Sequence, residues 1–203
     1  RGTIRVRGSL SDFPWFGPTD SSRAAGSGGE FRVAARIDGA RFAFVPSSPA
    51  RGAADAWSSP WPAFEGLSAD LLIENGALSL TSASARIGGL QISDTTARIP
   101  DLSHDARVLV QGRGSGPAAD WLAFVARTPV RDWTAGALDG WRATGEAGLG
   151  LSLDLPLERM NHSRVQGHVE LRGNDLQVGH GVPALAQARG RIDFTEAGFR
   201  VQQ

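Results

Sequence analysis

The residues best suited to catalysis in this chain stand together at one point, in the sequence IPDLSHDAR. Asp101, Ser103, His104 and Asp105 supply carboxylates, a hydroxyl and an imidazole, which are the groups of a hydrolytic triad. Members of a triad must converge in space, and adjacent residues of one turn do not do so. The cluster therefore does not predict a catalytic site.

Other recognisable centres of chemistry are missing from the sequence. It has no cysteine and no GxSxG, GxGxxG, phosphate-loop or HExxH motif. The remaining histidines, His162, His168 and His180, match no compact metal site and are expected on the wet face of strands. The sequence thus predicts a protein that is not an enzyme and holds neither a metal ion nor a cofactor.

Length, charge and hydropathy argue against further classes of function. The 203 residues carry a formal net charge of zero, which gives no electrostatic reason to expect a nucleic-acid partner. No apolar run approaches the roughly 18 residues of a membrane span. The chain starts with a strand-like stretch that lacks Met and ends just after another strand signal. We therefore expect residues 1–203 to be a single segment of a longer protein, with any anchor or targeting signal elsewhere.

Alternation of apolar and polar residues dominates the chain. It is clearest in 31–37, 83–87 and 149–155, and this period of two is typical of strands with one apolar and one wet face. We count ten to twelve strands, mostly joined as antiparallel hairpins. Turn-forming pairs are predicted at Asp38–Gly39, Asn75–Gly76, Gly88–Gly89 and Gly173–Asn174.

Only one stretch indicates a helix. Pro117–Arg127 (PAADWLAFVAR) begins with a proline suited to a first helical turn, and Pro129 is expected to stop it. Trp57 and Trp61, which flank a Ser-Ser-Pro sequence, are expected to plug an end or corner of the sheet. Stacking on carbohydrate is the alternative role for these indoles.

Two parts of the chain repeat the same apolar pattern. WPAFEGLSADLLIENGALSL at 61–80 returns at 182–201 with an offset of 121, and 31–44 returns at 165–178 with an offset of 134. We interpret these as two degenerate repeats, about 31–80 and 165–201, each containing a hairpin, a loop with a proline and another hairpin.

A sheet with one apolar face needs something to cover that face. Three arrangements would do so: a second sheet would make a sandwich, closure of the sheet would make a barrel, and a strongly curled sheet would leave a trough for another occupant. The apolar positions carry Leu, Ile, Val and Phe without an inward polar pattern, so such a trough would be dry and suited to acyl chains. Periodicity alone does not separate this trough from an ordinary sandwich core.

The residues that would line such a trough are the apolar members of the alternating stretches. They are Phe31, Val33, Ile37, Phe42, Phe44, Leu71, Ile73, Leu78, Leu80, Ile87, Val108, Val110, Leu151, Leu153, Val169, Leu171, Ile192 and Phe194.

The order of several short motifs resembles a known family. They are Asp12-Phe13-Pro14-Trp15, Phe42-Ala43-Phe44, Trp61-Pro62, Ile99-Pro100-Asp101-Leu102, Thr128-Pro129-Val130, Leu153-Asp154-Leu155-Pro156-Leu157, Gly173-Asn174-Asp175-Leu176 and Phe194-Thr195-Glu196-Ala197-Gly198. Together they resemble the periplasmic region of the YhdP family, within the AsmA-like proteins of Gram-negative bacteria that also include TamB. The resemblance runs from about residue 3 to 201.

This resemblance implies both a fold and a function. The fold would be mainly β: a long curled antiparallel sheet forming a groove, like a partial barrel, with one short helix near 117–127. The function would be that of a non-enzymatic, periplasmic segment of a phospholipid bridge between the inner and outer membranes. Its partners would be phospholipid acyl chains, and the two membranes would be reached through parts outside this segment, one of them an inner-membrane anchor. The alternative is a β-sandwich module for structure or docking, without a lipid path.

Overall fold

The computed structural model describes residues 1–7, 30–45, 59–102, 106–159, 162–179 and 181–202. Several candidates from the sequence lie outside these ranges, namely Trp57, Ser103, His104, Asp105 and His180.

Within the described residues the chain forms eleven strands and two helices. The strands are β1 (Gly2–Arg7), β2 (Glu30–Phe42), β3 (Phe64–Glu74), β4 (Ala77–Ile87), β5 (Leu90–Ile99), β6 (Arg107–Pro117), β7 (Arg142–Ala143), β8 (Glu146–Pro156), β9 (Arg164–Gln177), β10 (Leu185–Thr195) and β11 (Gly198–Gln202). The helices are α1 (Ala118–Arg127) and α2 (Val130–Trp133). The mainly β class expected from the alternation is confirmed.

All described strands belong to one antiparallel sheet. Its order is β1-β2-β3-β4-β5-β6-β8-β9-β10-β11, with the two-residue β7 paired to β9. Strands that follow each other in the chain are, apart from β7, neighbours in the sheet, and two-residue turns join β3 to β4, β4 to β5 and β10 to β11. The sheet is open, with β1 at one edge and β11 at the other, and no second sheet covers it within the described ranges. The structure therefore favours the single sheet over the sandwich.

Two of the four predicted turns lie inside continuous strands. The turns at Asn75–Gly76 and Gly88–Gly89 are confirmed and join β3 to β4 and β4 to β5. The turns predicted at Asp38–Gly39 and Gly173–Asn174 are wrong, because β2 and β9 run through them. Gly39 and Gly173 instead have φ values of 65° and 97° at points where the pairing register shifts. They are β-bulges, which use glycine for the same conformational reason as turns do.

Bulges recur across much of the sheet. Register shifts coincide with residues of positive φ in β2, β3, β4, β5, β9 and β10. These residues are Gly39, Gly66, Ser82, Asp94, Gly173 and Gln187. Each bulge inserts one extra residue, which bends the strand and increases its twist. Strands β6 and β8, by contrast, pair without any shift from Arg107–Pro156 to Pro117–Glu146.

The predicted helix is confirmed as α1, and the sequence interpretation missed α2. α1 ends at Arg127, before Pro129, as expected, and Pro129 is also the N-cap of α2, where its φ of −57° suits a helix start. In the described ranges, no helix is long and apolar enough to cross a membrane.

Most buried apolar residues lie towards one end of the sheet. This end, which we call the helix end, contains the Gly88–Gly89 turn, the close of β6 and the start of β8. The opposite end, the turn end, contains Asn75–Gly76 and the β10–β11 turn. The buried apolar residues are Leu67, Ala69, Ala83, Ala85, Leu90, Ala118 and Ala147. Leu67, Ala69, Ala83 and Ala85 form one cluster, against which Ile37, Ala40, Phe64 and Leu80 pack.

Candidate functional site

The strand register sorts the side chains onto two faces. Residues directly opposite each other in an antiparallel pair share a face, and successive residues along a strand alternate. We call the side that carries Leu71, Leu80 and Val110 the apolar face, and the opposite side the polar face. Each bulge adds one residue to its strand, so successive apolar-face residues are three positions apart across the bulge instead of two. In β4, for example, Leu80 before the bulge and Ala83 after it both lie on the apolar face.

The predicted lining residues come together on this face. All those within strands lie on the apolar face, and Phe44, just beyond β2, has its ring centroid 6.0 Å from that of Phe64. Phe42 and Phe44 are 47% and 45% exposed, and the other sixteen are half-buried. None is enclosed as a sandwich core would be. Their role as a lipid site stays a prediction.

One row of the apolar face crosses most of the sheet. Starting from β1, each residue pairs directly with the next, and we call this set the long row. Its members are Gly2, Ala35, Leu71, Leu80, Ala97, Val110, Leu153 and Val165. Seven steps between strands of about 4.8 Å give a length of roughly 34 Å. No charged residue interrupts the long row.

A second row approaches the opposite edge and carries α1. This helix row runs through Ala85, Ile92, Gly114, Leu149, Val169, Ile192 and Val201. A Cβ atom on Gly114 would stand 2.6 Å from Cη2 of Trp121, so the indole lies directly on the glycine backbone. A Cβ atom on Gly89 would likewise collide with the carboxylate of Asp120. Because Gly89 and Gly114 have no side chains, α1 can pack closely against the sheet at these two positions.

Backbone hydrogen bonds fix the start of α1. The Ala118 amide donates to the Gly145 carbonyl at 2.8 Å, which ties the helix to the turn before β8. Asn174 holds that turn: it is 0% exposed, and its Nδ2 donates to the carbonyls of Thr144 and Glu146 at 2.7 and 3.1 Å. Its Oδ1 accepts from the Arg172 amide at 2.7 Å. This buried amide is therefore fully used, as burial of a polar group requires.

An aromatic cluster flanks the other side of α1. Trp61 lies 5.3 Å from Phe44, 6.4 Å from Phe124 of α1 and 5.6 Å from Trp133 of α2, measured between ring centroids. Trp61 thus packs at an end of the sheet, as the sequence indicated for this residue. Ring pairs in this distance range add about 0.5–1.5 kcal/mol to their area burial. Trp133 remains 64% exposed.

The polar face carries ion pairs between neighbouring strands. Arg32 with Glu74, and Arg36 with Asp70, are each separated by 2.8 Å across β2 and β3. Exposed pairs of this kind contribute about 0–1 kcal/mol each. On β9, a hydrogen bond from Arg172 lowers the pKa of Glu170 below its ordinary value. These groups keep the polar face hydrated and distinguish it from the apolar face.

Two open depressions also lie on the polar side. One of about 820 Å³ is lined by side chains that include Gln111, Arg113, His168 and Arg191, and one of about 580 Å³ by Arg32, Arg36 and Asp70 among others. Their charged and amide linings do not suit acyl chains, because burial of unpaired charge against hydrocarbon is unfavourable. His168, one of the sequence candidates, lies 3.8 Å from Glu170, and in the described residues no group of three or more acidic or histidine side chains could hold a metal ion.

The sequence interpretation missed part of the apolar face. Leu149 belongs to the same alternating stretch as Leu151 and Leu153 and had a readable signal. Ile92 and Ile99 join the face only through their pairing with β4. The sequence could not predict that Trp121 packs on the sheet, because it contacts Gly114, which contributes no apolar side chain to the alternating pattern.

Comparison with known proteins identifies the family of the chain. The family model described as "YhdP protein" matches residues 1–203. The chain is 28% identical over 172 residues to the intermembrane phospholipid transporter YhdP of Escherichia coli (strain K12). That match covers 85% of this chain but only 12% of the relative's length. No solved structure matches the chain. The resemblance expected from the short motifs is thus confirmed, and the chain belongs to the YhdP family.

Proposed function

We propose that this chain is a non-enzymatic segment of a bridge that carries phospholipids between two membranes, and that their acyl chains move along the apolar face. The observation that carries the proposal is the long row together with its half-exposed neighbours. The path includes Leu71, Leu80, Val110 and Leu153. It is apolar without interruption, and these side chains are half-buried in the described structure.

The free energy of acyl-chain hydration explains why such a face is useful. A chain of about sixteen carbons exposed to water costs roughly 0.8 kcal/mol per methylene, or about 12 kcal/mol in all. Contact with the apolar face removes much of this cost. Because the long row offers no polar anchor, a lipid can slide from strand to strand without breaking a specific bond. Sliding requires no covalent chemistry, which fits a function without catalysis.

The relative supplies the membrane context of the proposal. Its name describes an intermembrane phospholipid transporter, and this chain spans 12% of its length. We place the chain in the periplasm, as part of a longer protein anchored in the inner membrane, with the contacts to the inner and outer membranes made by other parts. The partner of this segment is then the phospholipid itself, with no role for nucleic acid.

The two sequence repeats fit a path built from similar units. The first comprises β2, β3 and β4, and the second comprises β9, β10 and β11, so each is one strand, a loop and a hairpin. Gly39 and Gly173, which are 134 residues apart, both occupy bulges. Gly66 and Gln187, which are 121 residues apart, do so as well, with φ of 65° and 54°. The bulges match at the two offsets found in the sequence, which supports repetition.

Site-specific photo-crosslinking in cells would test the proposed path. A photoreactive amino acid at Leu80, on the apolar face, should form adducts with phospholipid. The matched control is its neighbour Ser79, which is equally half-buried but on the polar face. Lipid adducts at Leu80 and not at Ser79 would support the proposal. Adducts at neither position, or equally at both, would contradict it.

A further inference from the structure

Along the central strands β5, β6 and β8, the apolar face is covered at the helix end and half-buried at the turn end. At the helix end of these strands, the Trp121 indole covers Gly114, and Leu90 and Ala147 are buried. At the turn end, Ile73, Leu78 and Ile99 form a directly paired set that stays half-buried. Among the described residues, no helix packs on this second set. The face is thus asymmetric along the strand direction.

The open distance along β6 is substantial. Val108, near the turn end, and Gly114, beneath Trp121, are six residues apart, which is about 20 Å at 3.3 Å per residue. Val110 lies between them on the same face. An acyl chain that follows the strands can therefore lie on this stretch, but it meets the indole at the helix end. The buried Nε1 of Trp121 has no hydrogen-bond partner among the described residues. A single N–H group does not compensate for the hydration that a charged headgroup would lose there, so the headgroup does not replace the chain.

We propose that α1 is the stop for the acyl chain and that Trp121 is the positioning residue that the chain end meets. The lipid then lies along the strands, with its terminal methylenes against Trp121 and its headgroup at the turn end. This inference rests on the proposed function and adds to it a fixed orientation of the lipid.

Two photoreactive lipids would test the orientation. One is a phosphatidylcholine with a diazirine at the end of an acyl chain, and the other carries the diazirine on the headgroup. The complete protein that contains this chain would be loaded from vesicles of each lipid, irradiated and digested with trypsin. Cleavage after Arg113 and Arg127 releases residues 114–127, which include all of α1. We expect the chain-end probe to label 114–127 severalfold more than the headgroup probe, and the reverse near Ile99.

Variants of two tryptophans sharpen the test. Trp121→Ala should spread chain-end labelling from α1 towards Leu90, because the stop is gone. Trp133→Ala removes the same side chain from a 64% exposed position and should leave the labelling pattern unchanged.

The outcomes separate the two proposals. Equal labelling of both ends by the two probes, or headgroup labelling concentrated on α1, would overturn the orientation and leave transport along the face intact. If the chain-end probe labels the Trp121→Ala variant in the same pattern as the unmodified protein, Trp121 is not the stop. Failure of both probes to label any apolar-face residue would overturn the proposed function together with the orientation.

Discussion

Trp121 packs against the backbone of Gly114, so that a single added carbon at residue 114 would stand 2.6 Å from Cη2 of the indole and 2.7 Å from Cζ2. This contact joins α1, the longer of the two described helices, to β6, a central strand of the sheet. It exists because β6 has glycine at a position that belongs to the apolar row. A larger residue there would leave the strand intact but prevent the close packing of α1.

Gly114→Val should therefore destabilise the chain through overpacking, by about 1–3 kcal/mol in the free energy of unfolding. The measurement is urea denaturation. Gly179→Ala is the control, because no atom lies within 4 Å of a Cβ there, and it should change little. Combining Gly114→Val with Trp121→Ala should be less harmful than the sum of both, by about 1 kcal/mol. Strict additivity would show that the two residues do not contact each other.

Replacing a directly paired couple on the apolar face with Asp should remove bound lipid. Leu71→Asp with Leu80→Asp introduces two charges into the long row, where they would repel acyl chains. Leu72→Asp with Ser79→Asp is the matched control, because these residues also pair directly but lie on the polar face. Mutual repulsion of the new carboxylates is thus present in both variants. Phospholipid that co-purifies with the complete protein should fall in the first variant only, and an equal fall in both would count against the apolar path.

Gln187→Gly should stabilise the chain. Gln187 has a φ of 54°, a left-handed conformation that costs an L-residue about 1–2 kcal/mol. The entropic cost of a glycine is about 0.5–1 kcal/mol, so the expected gain is roughly 0.5–1 kcal/mol. Gln166→Gly in the neighbouring strand β9 should destabilise instead, because Gln166 has no positive φ to relieve. Chemical denaturation of both variants measures the change in the free energy of unfolding. Changes of the same sign in the two variants would contradict backbone strain at Gln187.

Asn174→Ala should destabilise the turn that holds α1. It leaves the Thr144 and Glu146 carbonyls and the Arg172 amide without their buried partner, at a cost of about 1–3 kcal/mol for each unsatisfied group. Asn174→Asp should be at least as damaging, because a carboxylate has no donor for the two carbonyls. Gln177→Ala, at an exposed site on the same strand, is the control. Similar unfolding free energies for all three variants would contradict the hydrogen-bond assignment.

Acidification should loosen the tie between β9 and the β10–β11 turn. Glu196 accepts a hydrogen bond from the Val165 amide at 3.0 Å, which lowers the pKa of its carboxyl below the ordinary value of 4.5. Because the folded pKa is lower than the unfolded one, this contribution is present above the unfolded pKa and is lost as the pH falls through the folded pKa. Hydrogen exchange of the Val165 amide, followed from neutral pH downwards, should report the loss.

Glu196→Gln is the control for that titration. An amide in place of the carboxylate does not ionise, so the acid-dependent change in Val165 protection should disappear. A variant that keeps the full pH response would assign the effect to another group.

Much of the face assignment was readable from the sequence. In 149–155, the alternation of leucines with glycine, serine and aspartate predicted both the strand β8 and the side of each residue, because β8 contains no bulge. The turns at Asn75–Gly76 and Gly88–Gly89 were equally readable, since both pairs join strands directly. The helix at Ala118–Arg127 followed from Pro117 and the apolar spacing.

The tertiary structure decided the features that depend on a partner strand. Asp38–Gly39 has the same local chemistry as a hairpin turn, and only the pairing of β2 with β3 makes Gly39 a bulge. The alternation left open whether a second sheet would bury the apolar face, and it left open where α1 would lie. Periodicity records which way each side chain points relative to its own strand. What covers that side is set by distant contacts, such as that of Trp121 with a glycine, and a glycine leaves no apolar signal in the pattern.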